Sequence, residues 1–267
     1  MKTIPRSLHP HFNELSFLNP DCFSQVDGTL GKHHPEVLVF RCWDARMDMN
    51  LHNLGAGKVL LYPSAGATLP ENVLWDPNLS GMLSLADYKS VRQYLIKPHS
   101  DCLAANLALK NPDIYGVSPQ HPHYHNLVTI HASLSSVGVD LHQYAERSWD
   151  EARGDEAEAT NLMAKRLSIA SLANLMSMKI RNDWTKTVGQ AVIDKEVNVA
   201  VVFADFQKKR FEYLSLDTKE FHPFAPEQTP AHMCVRHNDC EGCSCDEQVS
   251  GIADTIQFFP ALNMAGT

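Results

Sequence analysis

Val37-Leu-Val-Phe-Arg-Cys42-Trp-Asp44-Ala-Arg46 is the most informative stretch of this chain. Val37 to Phe40 is a short unbroken apolar run, as expected of a strand buried on both faces of a parallel sheet. Cys42, Asp44 and Arg46 then follow at i, i+2 and i+4, positions that share one side while the backbone stays extended. A thiol, a carboxylate and a guanidinium are thereby delivered together at the C-terminal end of a strand. That end is where open α/β sheets place their ligand sites. Taken alone, the same residues also fit a buried cysteine beside a structural Asp–Arg ion pair.

The chain on either side repeats the pattern. Lys58–Tyr62, Val91–Ile96 and Val197–Phe203 are further apolar runs, the first closed by Pro63 and Gly66 and the second by Pro98. Leu127–Ile130 reads as another strand, and Arg210–Leu214 alternates as an edge strand with one wet face should. Helices are predicted over Leu79–Ser90, Asp101–Lys110 and Glu156–Met178, the last rich in leucine and good helix formers. Strands alternating with helices predict an α/β domain with a mainly parallel central sheet flanked by helices. We divide the chain into an N-terminal arm (1–35), a domain (36–220) with a weakly patterned insertion at 111–155, and a His/Cys-rich C-terminal extension (221–267). The arm, broken by Pro5, Pro10, Pro20 and Pro35, is expected to wrap a neighbour or a core face.

Composition narrows the function classes. The 267 residues carry 23 Lys plus Arg against 31 Asp plus Glu, a net charge of −8. An acidic chain offers no general attraction to nucleic acid or anionic membranes, so small molecules or further copies of the chain are the expected partners. No apolar run approaches the roughly 18 residues of a membrane span, and the first residues lack the apolar core of a secretory signal. A cytoplasmic protein is expected. Seven cysteines, an odd count, then point to metal or redox chemistry rather than a disulfide framework.

His99-Ser-Asp-Cys102 follows the third apolar run at a predicted helix start. The free N–H groups of a helix N-terminus favour a thiolate there, and His and Cys three positions apart can grip one ion. Alone, this segment also fits an ordinary helix cap at Ser100 or Asp101. Combined with the first motif it gives Cys42, His99 and Cys102. Two sulfurs and one nitrogen with a fourth position open describe a catalytic Zn²⁺ site. Asp44 and Arg46 then stand beside the metal.

With these two motifs in this order, the sequence resembles the β-class carbonic anhydrases, whose signature is Cys-x-Asp-x-Arg after the first strand and His-x-x-Cys after a later one. Ser64-Ala65-Gly66 resembles the family's Arg-Asn-Ala-Gly segment, and the likeness covers roughly residues 36–216, fitting poorly over 111–155. It implies a zinc lyase that reversibly hydrates carbon dioxide to bicarbonate through a zinc-bound hydroxide. It also implies Cys42, His99 and Cys102 as ligands, Asp44 and Arg46 as catalytic residues, and a homodimer or higher homo-oligomer. In some members the Asp instead fills the fourth zinc position with its Arg contact broken. Two segments depart from the family: Leu103-Ala104 stand where members carry Gly-Gly, and Pro63-Ser64 where they carry Arg-Asn. Added bulk at the open position leaves two other readings in place, a hydrolase of carbon disulfide or carbonyl sulfide and a non-catalytic zinc scaffold or sensor.

Other signals are weaker. His121-Pro-His-Tyr-His125 reads as a solvated loop before it reads as a metal site. Met47, Met49 and the methionines from Met163 to Met178 read as core filler, and Trp43 is expected to pack behind the zinc strand. In the tail, Cys234, Cys240, Cys243 and Cys245 with His232 and His237 are open to three readings: a second zinc, a reversible disulfide or unligated thiols.

Overall fold

β1 (Val37–Cys42) lies at the heart of the sheet, with β2 (Val59–Ser64) parallel on one side. The computed structural model describes residues 35–47, 58–70, 76–180, 183–216 and 218–223. The expected arm up to residue 34, Met49, and the tail from residue 224 with its four cysteines lie outside the described residues. After β2 the chain turns through Ala65–Ala67, where Gly66 adopts φ +66°. Helix α1 (Pro77–Tyr88) starts where Asp76 accepts from the amides of Asn78 and Leu79 at 2.9 and 3.0 Å and Pro77 needs no partner for a missing N–H.

β3 (Gln93–Lys97) pairs parallel with the other side of β1, and α2 (Leu103–Lys110) leaves the site region directly after it. Two helices then follow, α3 (Tyr124–Ser135) and α4 (Leu141–Glu151), before the long α5 (Glu156–Ser177). The strand expected over Leu127–Ile130 is therefore corrected. Leu127, Ile130 and Leu134 fall at helical spacing and are buried together, whereas a four-residue apolar window carries no period that separates helix from strand.

A small antiparallel pair, β4 (Lys179–Ile180) and β5 (Asp183–Thr187), leads into α6 (Val188–Ile193). β6 (Asn198–Asp205) then joins the main sheet parallel to β3, and β7 (Arg210–Leu214) and β8 (Phe221–Pro223) extend it antiparallel. The order is β2-β1-β3-β6-β7-β8. It is a mixed sheet in which β2, β1, β3 and β6 run parallel, flanked by helices as the sequence predicts.

α5 organises the core. It is buried nearly all round, so alanine and serine recur where neighbours approach closely. Its first half packs with α2, α3 and α4 against Cys42 and Cys102, and its second half with α1 and α6 against Phe40, Tyr62 and Ile96. Buried polar groups along it are satisfied: the Asn174 side-chain amide donates to the carbonyls of Leu69 and Ser133 at 2.9 and 2.8 Å, and the Ser171 hydroxyl accepts from the Leu69 amide at 3.1 Å. The chain after Gly66 is thereby fixed to α3 and α5. Met47, Met163, Met176 and Met178 are buried, in the role expected of them. Among the described residues, no helix is long and apolar enough to cross a membrane.

Candidate metal centre

Three strand ends build the site. β1 delivers Cys42, and the amide of Trp43 still bonds the Ser64 carbonyl of β2 at 3.2 Å. From β3 the chain runs on to His99, which bridges in parallel to Ala204 of β6; the Ser100 amide donates to the Ala204 carbonyl at 2.9 Å. Ser100 Oγ accepts the Phe206 amide at 2.8 Å, locking the end of β6 beneath the histidine. Asp101 then adopts φ +55°, a left-handed conformation uncommon outside glycine, with its amide held by Asn161 Oδ1 at 3.0 Å. That reversal places Cys102 at the N-cap of α2.

Cys42, His99 and Cys102 come together as a buried group, with one ligand atom from each lying within 4.8 Å of the others. His99 Nδ1 lies 2.8 Å from the Ser100 carbonyl, which fixes the proton on Nδ1 because a carbonyl only accepts. Nε2 is therefore a lone-pair donor, and it is buried without a hydrogen-bond partner. An orphaned buried imidazole nitrogen beside two thiols needs an electrophile to satisfy it. Two sulfurs about 2.3 Å from a tetrahedral zinc stand about 3.8 Å apart; Cys42 Sγ and Cys102 Sγ are 3.8 Å apart. The donor set and its spacing fit Zn²⁺.

The electrostatics agree. A hydrogen bond from Cys102 and, against burial, the nearby His99 hold the Cys42 thiol down to about 4. Its thiolate in turn pushes Cys102 well up, reinforced by burial and opposed only by the Ala104 and Ala105 amides. The helix-start effect expected at Cys102 is thus outweighed by its neighbour, because two thiolates this close without a cation repel.

Asp44 stands at the rim, its Oδ2 3.8 Å from His99 Nε2. Arg46 grips it three times: Nη2 to Oδ2 at 2.6 Å, Nε to Oδ1 at 3.0 Å and the backbone amide to Oδ1 at 2.8 Å. Those hydrogen bonds hold the Asp44 carboxyl down to about 2, against a small opposing effect of burial. The Asp–Arg contact is intact, so the carboxylate is turned to Arg46. Two contributors were not singled out in the sequence. Asp101 accepts from Arg46 Nη1 at 3.0 Å, and the Phe206 ring lies 5.1 Å below the Arg46 guanidinium and 5.4 Å from the His99 ring. Asp101 lies within the His99–Cys102 motif, where the sequence offers it only as a helix cap; Phe206, outside any motif, reaches the site through the β3–β6 pairing.

Other expectations resolve differently. Trp43 is 61% exposed, so it does not pack behind the strand; the strand has ended and its side chain leaves with the turn. Leu103 is 59% exposed, while Ala104 is buried and would meet a Cβ on Gly66 at 3.5 Å. Of the two residues that replace Gly-Gly, Leu103 thus lies at the surface and Ala104 packs in the cluster that contains Cys42 and Cys102. Among the described residues, the histidines of 121–125 form no metal-holding group.

No protein-family model matches the chain, and no curated protein matches it in sequence. Solved structures do. The β-carbonic anhydrase CcaA superposes with TM-score 0.59 at 14% identity, over 82% of this chain and 89% of its own. A tetrameric β-carbonic anhydrase of Sordaria macrospora gives 0.55 at 19% identity, over 82% and 95%. The Coccomyxa β-carbonic anhydrase, solved with acetazolamide, gives 0.52 at 17% identity, over 90% and 100%. The chain has the β-carbonic anhydrase fold.

Proposed function

We propose that this protein is a zinc enzyme that reversibly hydrates carbon dioxide to bicarbonate. The observation that carries the reading is the orphaned Nε2 of His99 facing two thiols 3.8 Å apart, next to an aspartate fixed by an arginine. A structural zinc has no need of the Asp44–Arg46 pair, so its presence beside the group favours catalysis over a scaffold. The exposed position of Leu103 supports access to the open direction.

Cys42, His99 and Cys102 would hold the metal, and Zn²⁺ in such a site acts as a Lewis acid that lowers the pKa of a bound water to about 7. Asp44 supplies a fixed hydrogen-bond acceptor. By accepting a hydrogen bond at Oδ2 from the reacting hydroxyl, which keeps that proton, it would turn an oxygen lone pair toward the carbon of carbon dioxide. Arg46 keeps Asp44 ionised and stops it swinging toward the metal group. As the new C–O bond forms, one C=O π bond opens onto its oxygen, bicarbonate departs, and the remaining water proton passes to solvent. We further propose that the protein works as a homodimer or a multiple of one, a reading supported by the exposed Trp43 next to Cys42.

A stopped-flow carbon dioxide hydration assay on zinc-loaded protein tests the function. Hydration that scales with bound zinc is expected; folded, zinc-loaded protein with no hydration anywhere between about pH 6 and 9 would overturn the reading.

A further inference from the structure

Arg46 fixes Asp44 from a side chain that is itself 46% exposed, and its second carboxylate partner, Asp101, is 69% exposed. Ion pairs this open to water hold a flexible side chain weakly, because solvent screens the attraction and ordering a long chain costs entropy. The guanidinium has one further neighbour. Phe206 presents its ring 5.1 Å from Arg46 Cζ, within the range of a cation–π contact. A planar, weakly hydrated guanidinium is the cation best suited to an aromatic face.

Phe206 is the first residue after β6, and its backbone is fixed from both sides. Ser100 Oγ, fully buried, accepts its amide at 2.8 Å. The buried Asp205 carboxylate accepts from the amides of Gln207 and Lys208 at 3.1 and 3.0 Å, closing the turn that follows. The ring also lies 5.4 Å from the His99 ring, tilted by 36°. His99 is itself oriented through Nδ1, 2.8 Å from the Ser100 carbonyl. One side chain therefore touches both the imidazole of the metal group and the guanidinium that holds Asp44. A phenyl ring can neither exchange a proton nor ligate a hard cation, so its contribution is position.

We propose that Phe206 is a positioning residue for the Asp44–Arg46 pair, its ring the rest on which the Arg46 guanidinium is held in a fixed relation to His99. The exposed Asp101 carboxylate can follow the guanidinium as it moves; a ring set in an anchored turn cannot. With the ring in place, Nε and Nη2 stay aimed at the two Asp44 oxygens. Without it, the pair is left to its solvent-exposed contacts. This rests on the proposed hydration, in which Arg46 acts through Asp44.

The test compares Phe206→Leu, which keeps apolar bulk but removes the π face, with Phe206→Tyr, which keeps the ring, in the full zinc-loaded chain. Phe206→Leu should retain its zinc and lose roughly fivefold or more in kcat/KM for hydration, the scale of one cation–π contact. Phe206→Tyr should recover most of that loss. In an Arg46→Ala background, Phe206→Leu should cost nothing further, because the ring acts through Arg46. Wild-type kcat/KM in Phe206→Leu would overturn the proposal, as would a Phe206→Tyr no better than Phe206→Leu. Loss of zinc from Phe206→Leu would also overturn it, since the ring would then be a support for His99. A full further loss in the Arg46→Ala background would do the same. If the wild-type protein hydrates no carbon dioxide, the functional reading fails and the positioning is decided by urea unfolding of Phe206→Leu, Arg46→Ala and the double variant. Their effects on the unfolding equilibrium should fall short of additive by roughly twofold or more; additive effects would overturn the contact between ring and guanidinium.

Discussion

Arg46 holds Asp101 twice across fifty-five positions of sequence, through Nη1 to the carboxylate at 3.0 Å and Nη2 to the main-chain carbonyl at 3.0 Å. The turn after β1 is thereby tied to the turn before α2, the two segments that supply the thiols. With Asp44 on the same guanidinium, Arg46 is a clasp whose tension depends on both carboxylates. Asp101→Ala should keep zinc and lower hydration by about tenfold, the usual scale for a partner that acts through another residue. Asp101→Gly should match that loss but unfold at a higher temperature than Asp101→Ala, because φ +55° strains alanine and not glycine. Equal stability of the two variants would show that the reversal is not held in the left-handed region.

Asp44→Asn and Arg46→Ala test the proposed catalytic pair itself. An amide in place of the carboxylate offers Arg46 a weaker acceptor and can donate where only acceptance is useful. Hydration should fall by about a hundredfold in each, within the range for a positioned proton acceptor, while zinc content stays at the wild-type value. Loss of zinc along with activity would instead make the pair a support for the metal group.

Cys42→Ser and His99→Ala should empty the site. In the full chain under reducing conditions, each should carry one zinc fewer than wild type by metal analysis. Full zinc in both would place the metal elsewhere.

The candidate site at the C-terminal end of the sheet was legible in the sequence because its residues are local. Cys42, Asp44 and Arg46 share one strand end, His99 and Cys102 one turn, and each set carries its own spacing. Phe206 and Asp101 were not legible as site residues, since their roles arise from strand pairing and from a backbone reversal that no residue type announces. The strand expected over Leu127–Ile130 failed for a different reason. The helices of segment 111–155 are short, and serine, histidine and glycine interrupt the apolar stripe, so Leu127–Ile130 looked like a strand until its neighbours fixed the period.

Glu212 gives the pH dependence to look for. Burial pushes its carboxyl up, but Lys165 at 2.6 Å and Arg210 at 2.6 and 3.0 Å outweigh that and leave it below the usual range. A carboxyl depressed in the folded state binds its proton less readily there than in the unfolded chain. Its contribution is thus fully present above the unfolded value of about 4.3 and is lost as pH falls below it. Glu212→Gln strands Lys165 between the Phe203 and Phe221 rings and should cost about 3 kcal/mol by urea unfolding at neutral pH. The gap between wild type and variant should narrow on acidification. A gap independent of pH would mean that shape, not charge, holds this corner of the sheet.

Leu134 decides whether α3 is part of the core or an appendage. It is 1% exposed and sits in the cluster that also contains Cys42, Cys102 and Leu167. Beside it, Ser133 Oγ donates to the Leu69 carbonyl at 2.6 Å, so α3 also anchors the chain that leaves Gly66. Leu134→Ala should therefore lower global stability by about 2–5 kcal/mol, the cost of a core cavity. Tyr88→Ala on the exposed end of α1 should change it by less than about 0.5 kcal/mol. The urea transition should stay single with an unchanged slope, because the cavity weakens one cooperative unit rather than exposing a second. A separate early transition in Leu134→Ala would show that α3 and α4 unfold apart from the sheet. In that case a metal held by Cys42, His99 and Cys102 should stay bound through the early step, since those residues lie at the end of β1, just after β3 and at the start of α2.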